Sequence, residues 1–321
     1  MPYFTKEQIA KAKEIDLLTY LKKCDPDELV YESRNSYTTK THDSLKISNG
    51  LWNWFSRNIG GKTALEYLIQ VKGFSFTDAV SHLINQKGLE KKVYVKKVLT
   101  EKEKIERFIL PEKAESNDKI VSYLRGRGIS KDIIDECINK GLIYQEKKYN
   151  NVVFVGYDEK NRARYASLRG ITATRFLGEA YCSDKSYSFR LNSVVKNNTV
   201  HLFECAIDLL SYATFKEINN AKWDEENLLS LSGVYKPGKD INNSKPPTTL
   251  VRYLKNHPNI DTIILHLDND YTGRQATKAI TFSFSDRYKV IDNPPRIGKD
   301  YNQFLCMYLG INDKNRNENC R

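Results

Sequence analysis

Three acidic clusters, each written as the end of a β-strand, constrain this chain more than any other feature. Glu204 and Asp208 lie in VHLFECAIDLL, Asp268 and Asp270 in TIILHLDNDYTGRQA, and Asp300 in IGKDYNQFL. The first two clusters follow apolar runs rich in β-branched residues and precede helical patterns. A strand that stops at an acid and turns into a helix delivers that acid to the carboxyl end of a sheet, where open α/β sheets bind their ligands. Carboxylates gathered in one crevice repel each other unless a cation sits among them. Mg²⁺ is hard, octahedral and oxygen-liganded, and it also binds phosphates. The pattern therefore predicts metal-assisted phosphoryl-transfer chemistry.

Simpler roles exist for each acid taken alone. Asp270 is placed to N-cap a helix that begins near Gly273, and Asp300 beside Lys299 fits an ordinary turn. Asp268-x-Asp270 followed by Gly273 also mimics the start of a calcium loop, but the twelfth position is Ala279 rather than the bidentate Glu such a loop needs. The order of the clusters, each after the right kind of strand, favours a shared metal site.

The arrangement resembles the Toprim domain of bacterial-type DNA primases, topoisomerases and certain nucleases. Glu204 matches that family's strand-ending Glu. Asp268-Asn269-Asp270 with Gly273 and Arg274 matches its Asp-x-Asp motif, and Gly298-Lys299-Asp300-Tyr301-Asn302 its third motif. Leu228 to Val234 resembles the family's second strand and small-residue turn. The match spans about 197–310, with Gln303 standing where relatives often carry an acid. The resemblance implies Mg²⁺ or Mn²⁺ held by Glu204, Asp268, Asp270 and Asp300, with one or two ions left open. It also implies Glu204 as general acid or base; Asp208, one turn along the helix, is placed to support the site from behind, and Lys299 beside Asp300 to neutralise a carboxylate rather than bind substrate.

Of the 321 residues, 51 are Lys or Arg and 40 Asp or Glu, a net charge of +11. A basic body around an acidic site suits a phosphate-backbone substrate, although Lys- and Asn-rich composition also follows from AT-rich coding. The six cysteines are scattered with no CxxC pair. The polar start is not a secretory signal, and no run approaches the roughly 18 apolar residues of a membrane span. The expectation is a cytoplasmic protein with reduced thiols and no membrane partner. Cys205 is expected to pack under the sheet rather than act as a nucleophile.

The chain reads as an α/β protein in several blocks. Residues 1–88 open with a helix expected over Lys6 to Lys23, then β-rich segments, a helix from Thr63 to Val71 and another capped by Thr77. Gly73-Phe74-Ser75-Phe76-Thr77-Asp78-Ala79 resembles a step of the zinc-binding module of bacterial primases. The zinc ligands are missing, however: only His42 qualifies between Glu32 and Gly61, and a structural zinc needs about four. A zinc-less ribbon-like module held by Trp52, Trp54 and Phe55 is therefore expected. Gly60-Gly61-Lys62-Thr63 imitates a P-loop, but Ser56 replaces the first Gly and no buried strand precedes it. Its turn amides remain a candidate phosphate contact. Residues 89–113 read as a basic linker, either a solvated segment or a nucleic-acid contact.

Residues 114–196 form a middle domain: a helix from Ile120 to Arg127, a second from Lys131 to Asn139, and strands around 141–146, 150–158 and 163–171. Tyr123 to Ile129, Asn151 to Gly156, Ala166 to Gly170 and Ser183-Asp184-Lys185 resemble an uncharacterised domain fused to Toprim in proteins of plasmids and conjugative elements. Residues 197–321 then form the Toprim domain, expected as a Rossmann-like parallel sheet flanked by helices. Arg125, Arg127, Arg169, Lys185 and Arg274 are the candidate phosphate or nucleic-acid contacts, since Arg suits bidentate phosphate recognition. Ion pairs within the fold are the other role for Arg127 and Arg169. The resemblance implies primase-like nucleotidyl transfer on single-stranded DNA, with single-stranded DNA or RNA and nucleotides as ligands and a helicase or relaxase of a mobile element as partner. A Toprim nuclease and a non-catalytic accessory protein are the alternatives.

Overall fold

The computed structural model describes residues 4–33, 36–86, 100–172, 176–233 and 244–311. The chain divides into two compact units, Met1–Val98 and Leu99–Arg321.

In the first unit the expected opening helix is two helices, α1 (Lys6–Lys13) and α2 (Leu17–Cys24). Asp16 makes the break: its carboxylate accepts from the Thr19 amide at 2.9 Å and the Thr19 hydroxyl at 2.6 Å, which starts a new helix. Five antiparallel strands follow in sequence order: β1 (Leu29–Ser33), β2 (Ser36–Thr39), β3 (Leu45–Ser48), β4 (Leu51–Trp54) and β5 (Ile59–Gly61). Helices α3 (Ala64–Gln70) and α4 (Phe76–Asn85) close the unit. Ser75, rather than Thr77, caps α4.

Leu45, Ile47 and Trp52 share a sheet face and pack into one core with residues of α2, α3 and α4. Of the three aromatics expected to hold this module, Trp52 is buried and Trp54 packs against the core, stacking on His42 at 4.2 Å, while Phe55 is 66% exposed. The amides of Lys62 and Thr63, offered above as a phosphate contact, both donate to the Glu66 carboxylate, at 2.7 and 2.9 Å. That capping box occupies the donors a phosphate would need.

The second unit begins with α5 (Glu101–Arg107), and most of the expected basic linker lies outside the described residues. Helices α6 (Asp118–Gly126) and α7 (Lys131–Asn139) lead to a four-stranded antiparallel sheet. Its strands, in order, are β6 (Ile143–Gln145), β7 (Val152–Tyr157), β8 (Ala163–Arg169) and β9 (Leu177–Glu179). The β7–β8 turn is held by Asp158, whose carboxylate accepts from the amides of Lys160 and Arg162.

A second sheet follows, in the order β10 (Arg190–Leu191), β12 (Asn227–Ser230), β11 (Thr199–Phe203), β13 (Thr262–His266), β14 (Lys289–Asp292). The last four strands are parallel, and β10 is an antiparallel edge supplied from before residue 197. Helix α8 (Ala206–Ile218) follows β11, α9 (Thr248–Asn256) precedes β13, α10 (Tyr271–Phe284) follows it, and α11 (Tyr301–Tyr308) closes the described chain. Parallel strands buried on both faces read as continuous apolar runs, and β11 shows why. Val200 and Leu202 pack with Leu250, Leu254 and Ile280 of α9 and α10, whereas Phe203 packs with α6, α7 and α8. The expected α/β class with a central parallel sheet flanked by helices is what the chain adopts.

Candidate active site

Glu204 lies one residue beyond β11 and Asp268 two beyond β13, so neighbouring parallel strands present both acids at one sheet edge. Local hydrogen bonds fix the edge. The Asp268 amide donates to Glu204 Oε1 at 3.3 Å, and the Gly233 amide donates to the Glu204 carbonyl at 2.9 Å. Gly273 packs directly against this pair: a Cβ there would come within 2.2 Å of the Asp268 carbonyl and 2.9 Å of Glu204 Oε1.

Asp300 does not end a strand as the sequence suggested. Strand β14 stops at Asp292, and a Pro294-Pro295 loop intervenes before Asp300. The loop is tied back by the Asn269 amide donating to the Lys299 carbonyl at 2.7 Å. Asp300 then N-caps α11, accepting from the Gln303 amide at 2.7 Å. Asp270 likewise caps α10 through the Gly273 amide at 2.9 Å, which holds its carboxyl below the usual range; Lys299 adds to this.

A cavity of about 570 Å³ takes in Glu204, Asp268 and Asp300, but Asp270 is not among its lining residues. The parallel-sheet edge contributes Glu204, Asp208, Asp268, Lys299 and Asp300. The antiparallel sheet contributes Tyr165, Ser167 and Arg169 of β8 with Leu177 and Glu179 of β9, and Arg127 and Lys185 complete the basic lining. Strand alternation explains this wall. Phe154 pairs with Ser167, and Ser167 with Glu179. The face that buries Val152 and Phe154 against α8 therefore continues outward as a polar surface beside the acids.

The electrostatics are those of a cation-hungry site. Burial first, and then Asp268, push the Glu204 carboxyl up to about 8. Burial and then Asp300 push Asp268 up to about 6, against the pull of Lys299. Burial and Asp300 also raise Asp208. The Lys299 ammonium lies 3.1 Å from Asp270 and 3.6 Å from Asp268. Among the described residues, no group of three or more His, Cys, Asp or Glu side chains is drawn together tightly enough to hold an ion as it stands. The donor set is nonetheless all carboxylate oxygen, which is what a hard divalent cation takes. Glu204, Asp268 and Asp270 are the carboxylates that could offer such oxygens, and Lys299 is paired with two of them.

The other candidate residues separate clearly. Arg169 and Lys185 line the cavity, Lys185 pairing with Glu179 at 2.9 Å. Arg127 also lines it but is engaged, donating to the Tyr123 hydroxyl at 2.9 Å and to Asn302 Oδ1 at 2.6 Å. Arg125 lies elsewhere, in a shallow groove of α6 with Asp118 and Ser122. Arg274 is spent within the fold: its Nη1 donates to both Asp292 oxygens, at 2.9 and 3.0 Å, and its Nη2 and Nε to the Leu267 and Asp268 carbonyls. It therefore fixes the Asp268 loop from behind.

Asp208 accepts from the Asn302 amide at 3.2 Å and from the Cys205 thiol at 2.8 Å. Cys205 packs against the core under the sheet, as expected, and also lines the cavity, and burial holds its thiol well above the usual value. Sequence reasoning did not single out Asn302, which also donates to the Arg127 carbonyl and the Ser211 hydroxyl. Its signal was its place at the end of the Gly298 to Asn302 motif. Tyr165 and Glu179 carried no signal beyond strand alternation, and Ser167 only its place in the Ala166 to Gly170 segment.

A Toprim-like family model matches residues 201–305, and a model described as "Protein of unknown function (DUF3991)" matches 122–196. No curated protein matches the chain. Among solved structures, the chain is similar to the primase fragment of the bacteriophage T7 primase-helicase protein, at 15% identity and a TM-score of 0.40 over 91% of this chain and 99% of that one. It is also similar to the zinc-binding and RNA polymerase domains of Aquifex aeolicus primase, at 16% identity and 0.36 over 97% and 85%. A DNA primase domain from Pseudomonas aeruginosa matches at 13% identity and 0.40 over 60% and 68%. The two family models cover the acids and the sheet beside them: the chain carries a Toprim-like domain with a DUF3991 domain in front of it.

Proposed function

We propose that this protein is a divalent-cation-dependent nucleic-acid enzyme of the primase-like type, joining nucleotides on a single-stranded DNA template. The observation that carries the proposal is one cavity holding Glu204, Asp268 and Asp300 together with Arg169, Lys185 and Lys299. Acids alone would suit a bare cation, and bases alone a bare phosphate. Both in one crevice suit a metal-bound phosphate ester. Glu204, Asp268, Asp270 and Asp300 would hold Mg²⁺ or Mn²⁺, which would supply charge stabilisation to the phosphoryl oxygens. Glu204, at the buried end of β11, is the residue we assign as general acid or base at the reacting oxygen. Arg169 and Lys185 hold phosphates against the site, and Asp208 and Asn302 hold α11 and Asp300 in place. A helicase or relaxase of a mobile element is the proposed protein partner.

The test is gel analysis of products from labelled single-stranded DNA, all four ribonucleotides and Mg²⁺ or Mn²⁺. Short new oligonucleotides that vanish in the Glu204→Ala, Asp268→Ala double variant support the proposal. Shortened template with no new product replaces it with a Toprim nuclease. Binding with no product in either protein replaces it with an accessory factor.

A further inference from the structure

Lys299 has a fixed backbone and a half-exposed side chain paired with two carboxylates. Its amide donates to Gln303 Oε1 at 2.6 Å and its carbonyl accepts from the Asn269 amide at 2.7 Å. Both ends of the residue are thereby pinned beside the Asp268-Asn269-Asp270 turn. Its side chain is 54% exposed, and its ammonium lies 3.1 Å from Asp270 and 3.6 Å from Asp268. Gln303, which stands at a position written above as an acid in relatives, is turned to the Lys299 backbone and adds no charge. The only cation within ion-pair distance of Asp268 and Asp270, among the described residues, is therefore a lysine on a short tether. The same cavity is lined by Arg169 and Lys185, so an anionic group entering it meets further positive charge.

We propose that Lys299 is a resident countercation of the carboxylate cluster, displaced when a divalent ion enters and released to contact a phosphate oxygen of the substrate. The inference rests on reading the cluster as a divalent-cation site. An ammonium and a dication cannot share Asp268 and Asp270 without repulsion, so the ion must expel the lysine. The expelled ammonium carries three donors and remains within reach of any phosphate on the ion. Ion and phosphate then bind with positive cooperativity, because each benefits from the lysine position that the other requires. Lys299 acts here as a positioning and gating residue. It weakens the binding of ions that arrive without substrate.

The experiment is calorimetric titration of Mn²⁺, without nucleotide, into the full chain, into Lys299→Gln and into Glu204→Ala. Removing the resident cation is expected to tighten Mn²⁺ binding by about tenfold or more. In chelator, thermal unfolding of Lys299→Gln is expected at lower temperature than wild type, and added Mn²⁺ is expected to restore it. Equal or weaker Mn²⁺ binding by Lys299→Gln overturns the proposal. If neither wild type nor Lys299→Gln binds Mn²⁺, the divalent-cation reading fails and takes this inference with it. If both bind with the same affinity and Glu204→Ala does not, that reading stands and only the role of Lys299 falls.

Discussion

Glu204 shows how much a single position can carry. It is buried at a sheet edge with Asp268, Asp208 and Asp270 adding negative charge around it, and its carboxyl rises from 4.5 to about 8. A carboxyl raised on folding favours the protonated form in the native state. Its contribution to stability is full below 4.5 and is lost as pH rises through about 8. Glu204→Gln is neutral throughout. In urea titrations with chelator, its stability relative to wild type is expected to improve steadily across that window, and a flat difference would mean that Glu204 is not strained. Gly273 is the second decisive residue. In Gly273→Ala the new methyl meets the Asp268 carbonyl at 2.2 Å. It is expected to cost about 1–3 kcal/mol, measured by the same titrations, and to weaken Mn²⁺ binding through displacement of Asp268. Single residues were only partly legible. Arg125 and Arg127 looked equivalent in sequence, but on a helical path residues two apart do not share a face, and only Arg127 reaches the cavity.

At the scale of elements, the reading was strongest where burial is two-sided. Strands β11 and β13 are apolar runs ending in acids, and α8 and α10 begin immediately after them. It was weaker where a long-range bond decides. Asp300 owes its position to a loop pinned by Asn269, and the engagement of Arg274 depends on Asp292 across the β14 end. Neither partner is readable from local periodicity. Nor was the break between α1 and α2 read, because the apolar spacing continues through it and only the Asp16 side chain decides. Asn302 joins α11 to α8 and to the turn after α6 through bonds to Ser211, Asp208 and Arg127. Asn302→Ala leaves buried partners unsatisfied and is expected to cost about 1–3 kcal/mol in chemical denaturation. Loss of less than a few tenths would show that α11 is held by its apolar contacts alone.

At the scale of the whole molecule, the two units have separate cores. Residues of α1 to α4 and β1 to β5 form one cluster, and every residue of the cavity belongs to the second unit. A fragment covering 99–321 is therefore expected to fold and to bind Mn²⁺ as the full chain does. A tenfold loss of affinity in the fragment would show that the first unit completes the site. Net charge of +11 predicts that single-strand binding weakens steeply with salt. Affinity unchanged between low and moderate salt, measured by fluorescence anisotropy, would remove phosphate contacts from the account.

The most direct test of the central claim is to crystallise the protein with Mn²⁺ and locate the ion by its anomalous scattering. The account predicts a peak between Glu204, Asp268 and Asp270, with the Lys299 ammonium moved away from the carboxylates. A well-occupied peak elsewhere, with Lys299 still paired to Asp268 and Asp270, would contradict it.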